Sequence, residues 1–151
     1  YRNRWFLIGE KSTNRSPQVN IFALDRILTV KPAKEHPFRQ CVDFDPEHFF
    51  DDTIGVTKQI SDRARRVVIK IDRQQAPYVE SKPFHKSQKV EQRFRDGSIQ
   101  LSLKVVINNE LERLILGYGG HAEVIAPPEF RIRIAESVRI AANRYNNQPG
   151  L

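Results

Sequence analysis

Methionine is absent from the 151 residues, and cysteine and tryptophan occur once each, as Cys41 and Trp5. A single cysteine excludes an intrachain disulfide and a thiolate metal cluster, and a reduced compartment is the simplest setting for it. Next to Val42, Cys41 reads as a small hydrophobe. No run approaches the roughly 18 consecutive apolar residues of a membrane-spanning helix, and no basic-then-apolar segment opens the chain. The missing methionine at position 1 leads us to expect that the chain begins inside a longer protein. Nucleophile and phosphate motifs are also missing: there is no Gly-x-Ser-x-Gly, no Walker loop and no His-Glu-x-x-His. His36, His48, His85 and His121 are scattered, and Asp45 with His48 lacks a third ligand nearby in sequence. We therefore expect no metal, no cofactor and no catalytic residue, hence a non-enzyme.

What is present is charge, at 28%, with a net charge of +7. Residues 1–64 hold ten Lys/Arg against nine Asp/Glu, whereas residues 65–151 hold fifteen against nine, so the second part carries +6 of the total. A basic surface suits an anionic ligand or nucleic acid. Lys82, Lys86, Lys89, Arg93 and Arg95 crowd into fourteen residues together with His85. Uniform strand alternation would give Lys89, Arg93 and Arg95 one parity. Two readings stand open: a phosphate-contacting stripe or a solvated sheet edge guarded by lysines.

Patterning divides the chain into residues 1–60 and 65–148, with a linker over 56–64. Tyr1–Glu10 reads as a strand centred on Trp5, Phe6, Leu7 and Ile8, and Val19–Leu24 as a second. Asp45-Pro46-Glu47 has the form of a capped helical turn. Beyond the linker, Val67, Ile69 and Ile71 alternate with Val68, Lys70 and Asp72 as a strand, Ala76–Lys82 is a short helical turn, and Lys89–Phe94 is a strand. Asp96-Gly97 suits a tight primed turn into the strand containing Ile99, Leu101, Leu103, Val105 and Ile107. Asn109 and Glu112 have capping-box spacing, and Leu111, Leu114, Ile115 and Tyr118 have helical spacing. Gly117, Gly119 and Gly120 end that helix, a strand covers Ala122–Ala126, and a last helix starts at Pro127-Pro128 with Phe130, Ile134, Val138, Ala141 and Tyr145 along one face. The order β-α-β-β-α-β is that of a ferredoxin-like split βαβ unit, here with an added C-terminal helix. Gly117-Tyr118-Gly119-Gly120 runs from helix into strand, the reverse of a phosphate loop.

The segment Tyr1-Arg2-Asn3-Arg4-Trp5-Phe6-Leu7-Ile8-Gly9 resembles the signature of the WYL-domain family, whose Trp-Tyr-Leu run reads Trp5-Phe6-Leu7 here. Leu24-Asp25-Arg26-Ile27 looks like the family's second signature, and Phe49 to Val56 resembles the domain's usual end. Pro83 to Gln88 and Gly119 to Pro127 resemble the WCX extension that commonly follows. The resemblance implies an α+β chain: a partial Sm/SH3-like β-barrel over 1–60, its first strand preceding Tyr1, then the WCX-like extension. It implies a cytoplasmic bacterial regulator, its promoter DNA bound through a helix-turn-helix domain outside this chain, homo-oligomeric, with a nucleotide or single-stranded nucleic acid fragment as effector. Carried over, the ligand-binding residues are Arg4, Trp5, Phe6, Leu7 and Arg26, with Arg26 the foremost anion contact. The basic residues His85, Lys86, Lys89, Arg93 and Arg95 are candidate nucleic-acid or anion contacts. Phe6 departs from the family's tyrosine and lacks its hydroxyl donor, which leaves open whether it touches ligand or only packs. A purely structural dimerisation or protein-interaction module is the alternative function.

Overall fold

The structure is a computed structural model that describes residues 1–10, 19–32 and 44–146. Cys41 and His36 lie outside the described residues. Strands β1 (Phe6–Glu10) and β2 (Val19–Ala23) form an antiparallel hairpin in which Phe6 pairs with Ala23 and Ile8 with Ile21. A single 3-10 turn, Leu24–Arg26, follows.

The remaining elements are β3 (Arg65–Ile71), α1 (Ala76–Ser81), β4 (Lys89–Arg93), β5 (Ile99–Val105), α2 (Asn109–Leu116), β6 (Ala122–Ala126) and α3 (Pro128–Asn146). Their sheet has the order β4-β5-β3-β6 with every neighbouring pair antiparallel. The first and third strands of the unit are central, as split βαβ connections require. The sheet is open, and the two-stranded hairpin closes no barrel among the described residues.

Alternation explains the layering. Val67, Ile69 and Ile71 of β3 and Ile99, Leu101, Leu103 and Val105 of β5 point to one side and are buried. Against them pack Ala76 and Val79 of α1, Leu111 and Ile115 of α2, and Phe130 and Ile134 of α3. The opposite face carries Arg66, Lys70, Gln100 and Lys104. Phe130 is 1% exposed, and burial of a side chain this size contributes about 1.5–3 kcal/mol.

Several local expectations shift. Residues 1–5 form a turn instead of a strand: Arg2 and Asn3 have φ of 49° and 60°, and the Arg4 N–H donates to the Tyr1 carbonyl at 3.0 Å. The cap of α2 is Asn108, one residue earlier than expected, with its Oδ1 accepting from the Leu111 N–H at 2.9 Å. That displaces the capping box, and Glu112 instead holds α3 through Arg133 at 2.9 Å and Ser137 at 3.0 Å. The Gly97 N–H donates to the Phe94 carbonyl at 3.1 Å, so Arg95 and Asp96 are the central residues of the β4–β5 turn; neither has the positive φ of a primed turn, which only Gly97 after them adopts (84°). Asp96 stabilises it by accepting from the Ser98 N–H at 2.9 Å and hydroxyl at 2.7 Å.

The expected linker is docked. The Asn108 amide donates to the Ile54 and Thr57 carbonyls, each at 2.9 Å, and the Val106 N–H donates to the Asp52 carbonyl at 2.8 Å. Asp45 caps its turn as expected, accepting from the Glu47 and His48 N–H groups, while its second oxygen meets His48 Nδ1 at 2.6 Å.

Candidate functional site

A cavity of about 900 Å³ lies between the hairpin, the docked segment 56–61 and α2. This is the upper end of the usual size of ligand sites. One face of the hairpin supplies Phe6, Ile21 and Ala23, an apolar wall produced by strand alternation. Around it, among the described residues, stand five cations, Arg2, Arg4, Arg26, Lys58 and Arg113, and one acid, Glu110.

The cations differ in how far they are already compensated. Lys58 is only 11% exposed; its Nζ donates to Asp52 at 2.5 Å and to the Phe49 carbonyl at 2.7 Å, over the Phe49 ring. Burial raises the Asp52 carboxyl, but the Lys58 and Thr53 hydrogen bonds outweigh it and hold the group below its ordinary value. Arg4 approaches Asp25 at 3.5 Å, and the Arg2 guanidinium lies over the Tyr1 ring. Arg26 and Arg113 have no acidic partner among the described residues. Both are exposed.

Glu110 sets the cavity's far wall. Its Oε1 accepts from the Thr57 hydroxyl at 2.7 Å and the Val56 N–H at 3.4 Å, while Oε2 is buried without a hydrogen-bond partner. Gly55 makes this approach possible. Its φ is +85°, and a Cβ there would lie 2.5 Å from Glu110 Cγ.

Of the five signature residues, Arg4, Phe6 and Arg26 border this cavity. Trp5 and Leu7 do not. Trp5 is 81% exposed at the end of the turn that replaces the expected strand, and Leu7, 52% exposed, points to the hairpin's other face. Arg2, Lys58, Glu110 and Arg113 were not anticipated. Helical spacing puts Arg113 opposite the buried Leu111 and Ile115, but spacing alone does not reveal what an exposed residue faces.

The basic run does not form one stripe. A bulge between Val90 and Gln92 reverses the parity of β4, so Lys89 pairs across from Ser102 on the open face and Arg93 across from the core residue Ile99. Arg93 contacts Glu80 of α1 at 2.5 Å. Lys86 contacts Asp51 at 2.7 Å. His85 Nδ1 accepts from the Ser87 N–H at 3.1 Å, which leaves Nε2 to donate to the Asp51 carbonyl at 2.9 Å. These two residues therefore fasten the 45–52 turn to the sheet. Lys89 and Arg95 are exposed and lack an acidic partner among the described residues.

A smaller polar cavity of about 390 Å³ contains Asp72 and His121, whose Oδ2 and Nδ1 are 2.6 Å apart. Asp72 Oδ1 also accepts from the Gln74 and Gln75 N–H groups, each at 3.0 Å, ahead of α1. His121 and these N–H groups hold the Asp72 carboxyl below its ordinary range. Among the described residues no group of three or more His, Cys, Asp or Glu has the arrangement of a metal site. No helix among them is long and apolar enough to cross a membrane.

No curated protein matches the chain. Among solved structures it is similar to proteasome accessory factor B/C (PafBC) of Arthrobacter aurescens, at 19% identity and a TM-score of 0.46. That similarity covers 98% of this chain and 21% of the other, so the chain spans about a fifth of that protein's length. The family model described as the WCX domain matches residues 63–142, which is more than half of the 151 residues and takes in the whole split βαβ unit. The chain belongs to the WCX domain family.

Proposed function

We propose that this chain is the effector-sensing and oligomer-forming region of a cytoplasmic bacterial helix-turn-helix regulator. Residues 1–60 contribute part of a WYL-type barrel, and the effector is a nucleotide or a short single-stranded nucleic acid. Promoter DNA is read by a separate domain, and the chain itself catalyses no reaction. The observation that carries this reading is the cavity whose described lining holds five cations, one acid and an apolar wall from Phe6, Ile21 and Ala23. A phosphate meets Arg26, whose planar fork suits bidentate contact, while a base or sugar packs on the apolar wall. Phe6 supplies that wall without a hydroxyl, so its contribution is packing. Lys89 and Arg95 provide secondary, salt-sensitive attraction, with His85, Lys86 and Arg93 further from this role because each already has a partner.

Regulation requires differential affinity of the effector for two arrangements, since equal affinity shifts nothing. Titration of the chain with fluorescein-labelled oligodeoxythymidylate at low and high salt tests the reading. Binding that weakens with salt and with Arg26→Ala is expected. Folded protein that binds neither oligomer nor nucleotide at either salt refutes it.

The structural alternative, a dimerisation module without ligand, has one observation in its favour. The face of α3 that buries Phe130 and Ile134 continues as Val138, Ala141 and Tyr145, yet Val138 is 51% and Tyr145 83% exposed. Persisting oligomers together with an Arg26→Ala variant that regulates normally would favour that alternative.

A further inference from the structure

We propose that Arg113, on α2 of the WCX domain, is a ligand-binding residue: its guanidinium takes a phosphoryl group of the occupant that Arg26 also holds. The ligand then bridges the hairpin side of the cavity and the WCX domain. The inference rests on the reading of the cavity as an anion site. Three observations carry it. Arg113 and Arg26 border one cavity although they sit on elements 87 residues apart in sequence (113 − 26). Lys58 and Arg4 are drawn to Asp52 and Asp25, and Arg2 to the Tyr1 ring, which leaves Arg26 and Arg113 as the two lining guanidiniums with neither an acidic nor a ring partner among the described residues. Finally, α2 is a firm platform. Asn108 caps it, Leu111 and Ile115 anchor it, and Glu110 on the same helix fixes the 56–57 wall.

The arrangement has a physical consequence. An anion held by two uncompensated guanidiniums gains charge-assisted hydrogen bonds from both sides. It also loads a helix whose Glu112 holds Arg133 and Ser137 of α3. A bridging ligand is thus connected to α3 through packed and hydrogen-bonded groups.

The test uses the chain with fluorescein-labelled pentadeoxythymidylate, and thymidine monophosphate as competitor. Wild type, Arg26→Ala, Arg113→Ala, Arg113→Lys and a remote control, Arg144→Ala, are titrated across a salt series. Loss of one charged contact is expected to weaken binding roughly ten- to a hundredfold. It should also flatten the logarithmic salt dependence by about 0.7 per phosphate contact. Arg113→Ala and Arg26→Ala should both show this, Arg113→Lys should keep the salt slope and recover part of the affinity, and Arg144→Ala should match wild type. The slope separates a direct contact from a purely structural effect, and Arg113 is exposed, so its variants are expected to fold. Displacement by the monophosphate identifies a single nucleotide as sufficient, and failure to displace identifies the strand; either supports Arg113 when its alanine variant shows the loss. Wild-type affinity and slope in Arg113→Ala, alongside the Arg26→Ala loss, would overturn the proposal and leave the cavity reading intact. Absence of binding by wild type would overturn both.

Discussion

Replacing Gly55 by alanine tests how the cavity wall is built. Gly55 has a φ of +85°, and the new Cβ would stand 2.5 Å from Glu110 Cγ and 2.9 Å from its Cβ and Cδ. Left-handed backbone costs an L-residue about 1–2 kcal/mol. Relief of the clash requires Glu110 to withdraw from Thr57 and Val56, which it now accepts from at 2.7 and 3.4 Å. Losing a hydrogen bond to a charged group adds about 1.5–3 kcal/mol, partly recovered by water. The expected destabilisation is about 2–4 kcal/mol. With a urea slope of about 2 kcal/mol/M, the midpoint falls by about 1–2 M. Gly9→Ala is the control, because nothing lies within 4 Å of its added Cβ; it should change stability by less than about 0.5 kcal/mol. Combining Gly55→Ala with Glu110→Ala should cost less than the sum of the two, since one contact accounts for part of both. A Gly55→Ala protein as stable as wild type, or strict additivity with Glu110→Ala, would refute this account of the wall.

Other outcomes follow from the same structure. Phe130→Ala should destabilise by about 3–5 kcal/mol in chemical denaturation, because Phe130 is 1% exposed and packs in the core. Asn108→Ala removes a helix cap and two donors to the 54–57 segment, and should cost about 2–4 kcal/mol while speeding proteolysis near residue 57. Asp52 is held below its ordinary value of 3.8, so its contribution is present above the unfolded value and lost as pH falls through the folded one. The stability gap between wild type and Asp52→Asn should therefore hold between about pH 5 and 7 and close below about pH 4. Val138→Glu, on a half-exposed stretch of α3, should leave monomer stability within about 0.5 kcal/mol and lower self-association if that face joins two copies, as sedimentation would record.

The WCX domain was legible because its signals are local and mutually consistent. Alternation in Val67–Ile71 and Ile99–Val105 specified which residues enter the core, and Gly97 supplies the left-handed residue of the β4–β5 turn. Errors arose where one residue of register decides the outcome. The bulge after Val90 is invisible to a period-two reading, and it separates Lys89 from Arg93. Asn108 and Asn109 are equally good caps on paper, and only the fold's geometry selects the first. The lining of the cavity was half legible. The signature pointed to Arg4, Phe6 and Arg26, but Trp5 and Leu7 stand outside the cavity by backbone direction. Glu110 reaches it through contacts across more than fifty residues, and Arg113 borders it from the same helix, which no local pattern records.

The central claim, that the cavity between the hairpin and α2 holds a phosphate-bearing ligand, is tested most directly by nuclear magnetic resonance. Backbone and arginine Nε signals are followed while unlabelled pentadeoxythymidylate is added. Saturable shifts are expected at Arg26 and Arg113 and along residues 56–60, which line the cavity. Shifts confined to Lys89 and Arg95, or none at all in folded protein, would contradict that claim.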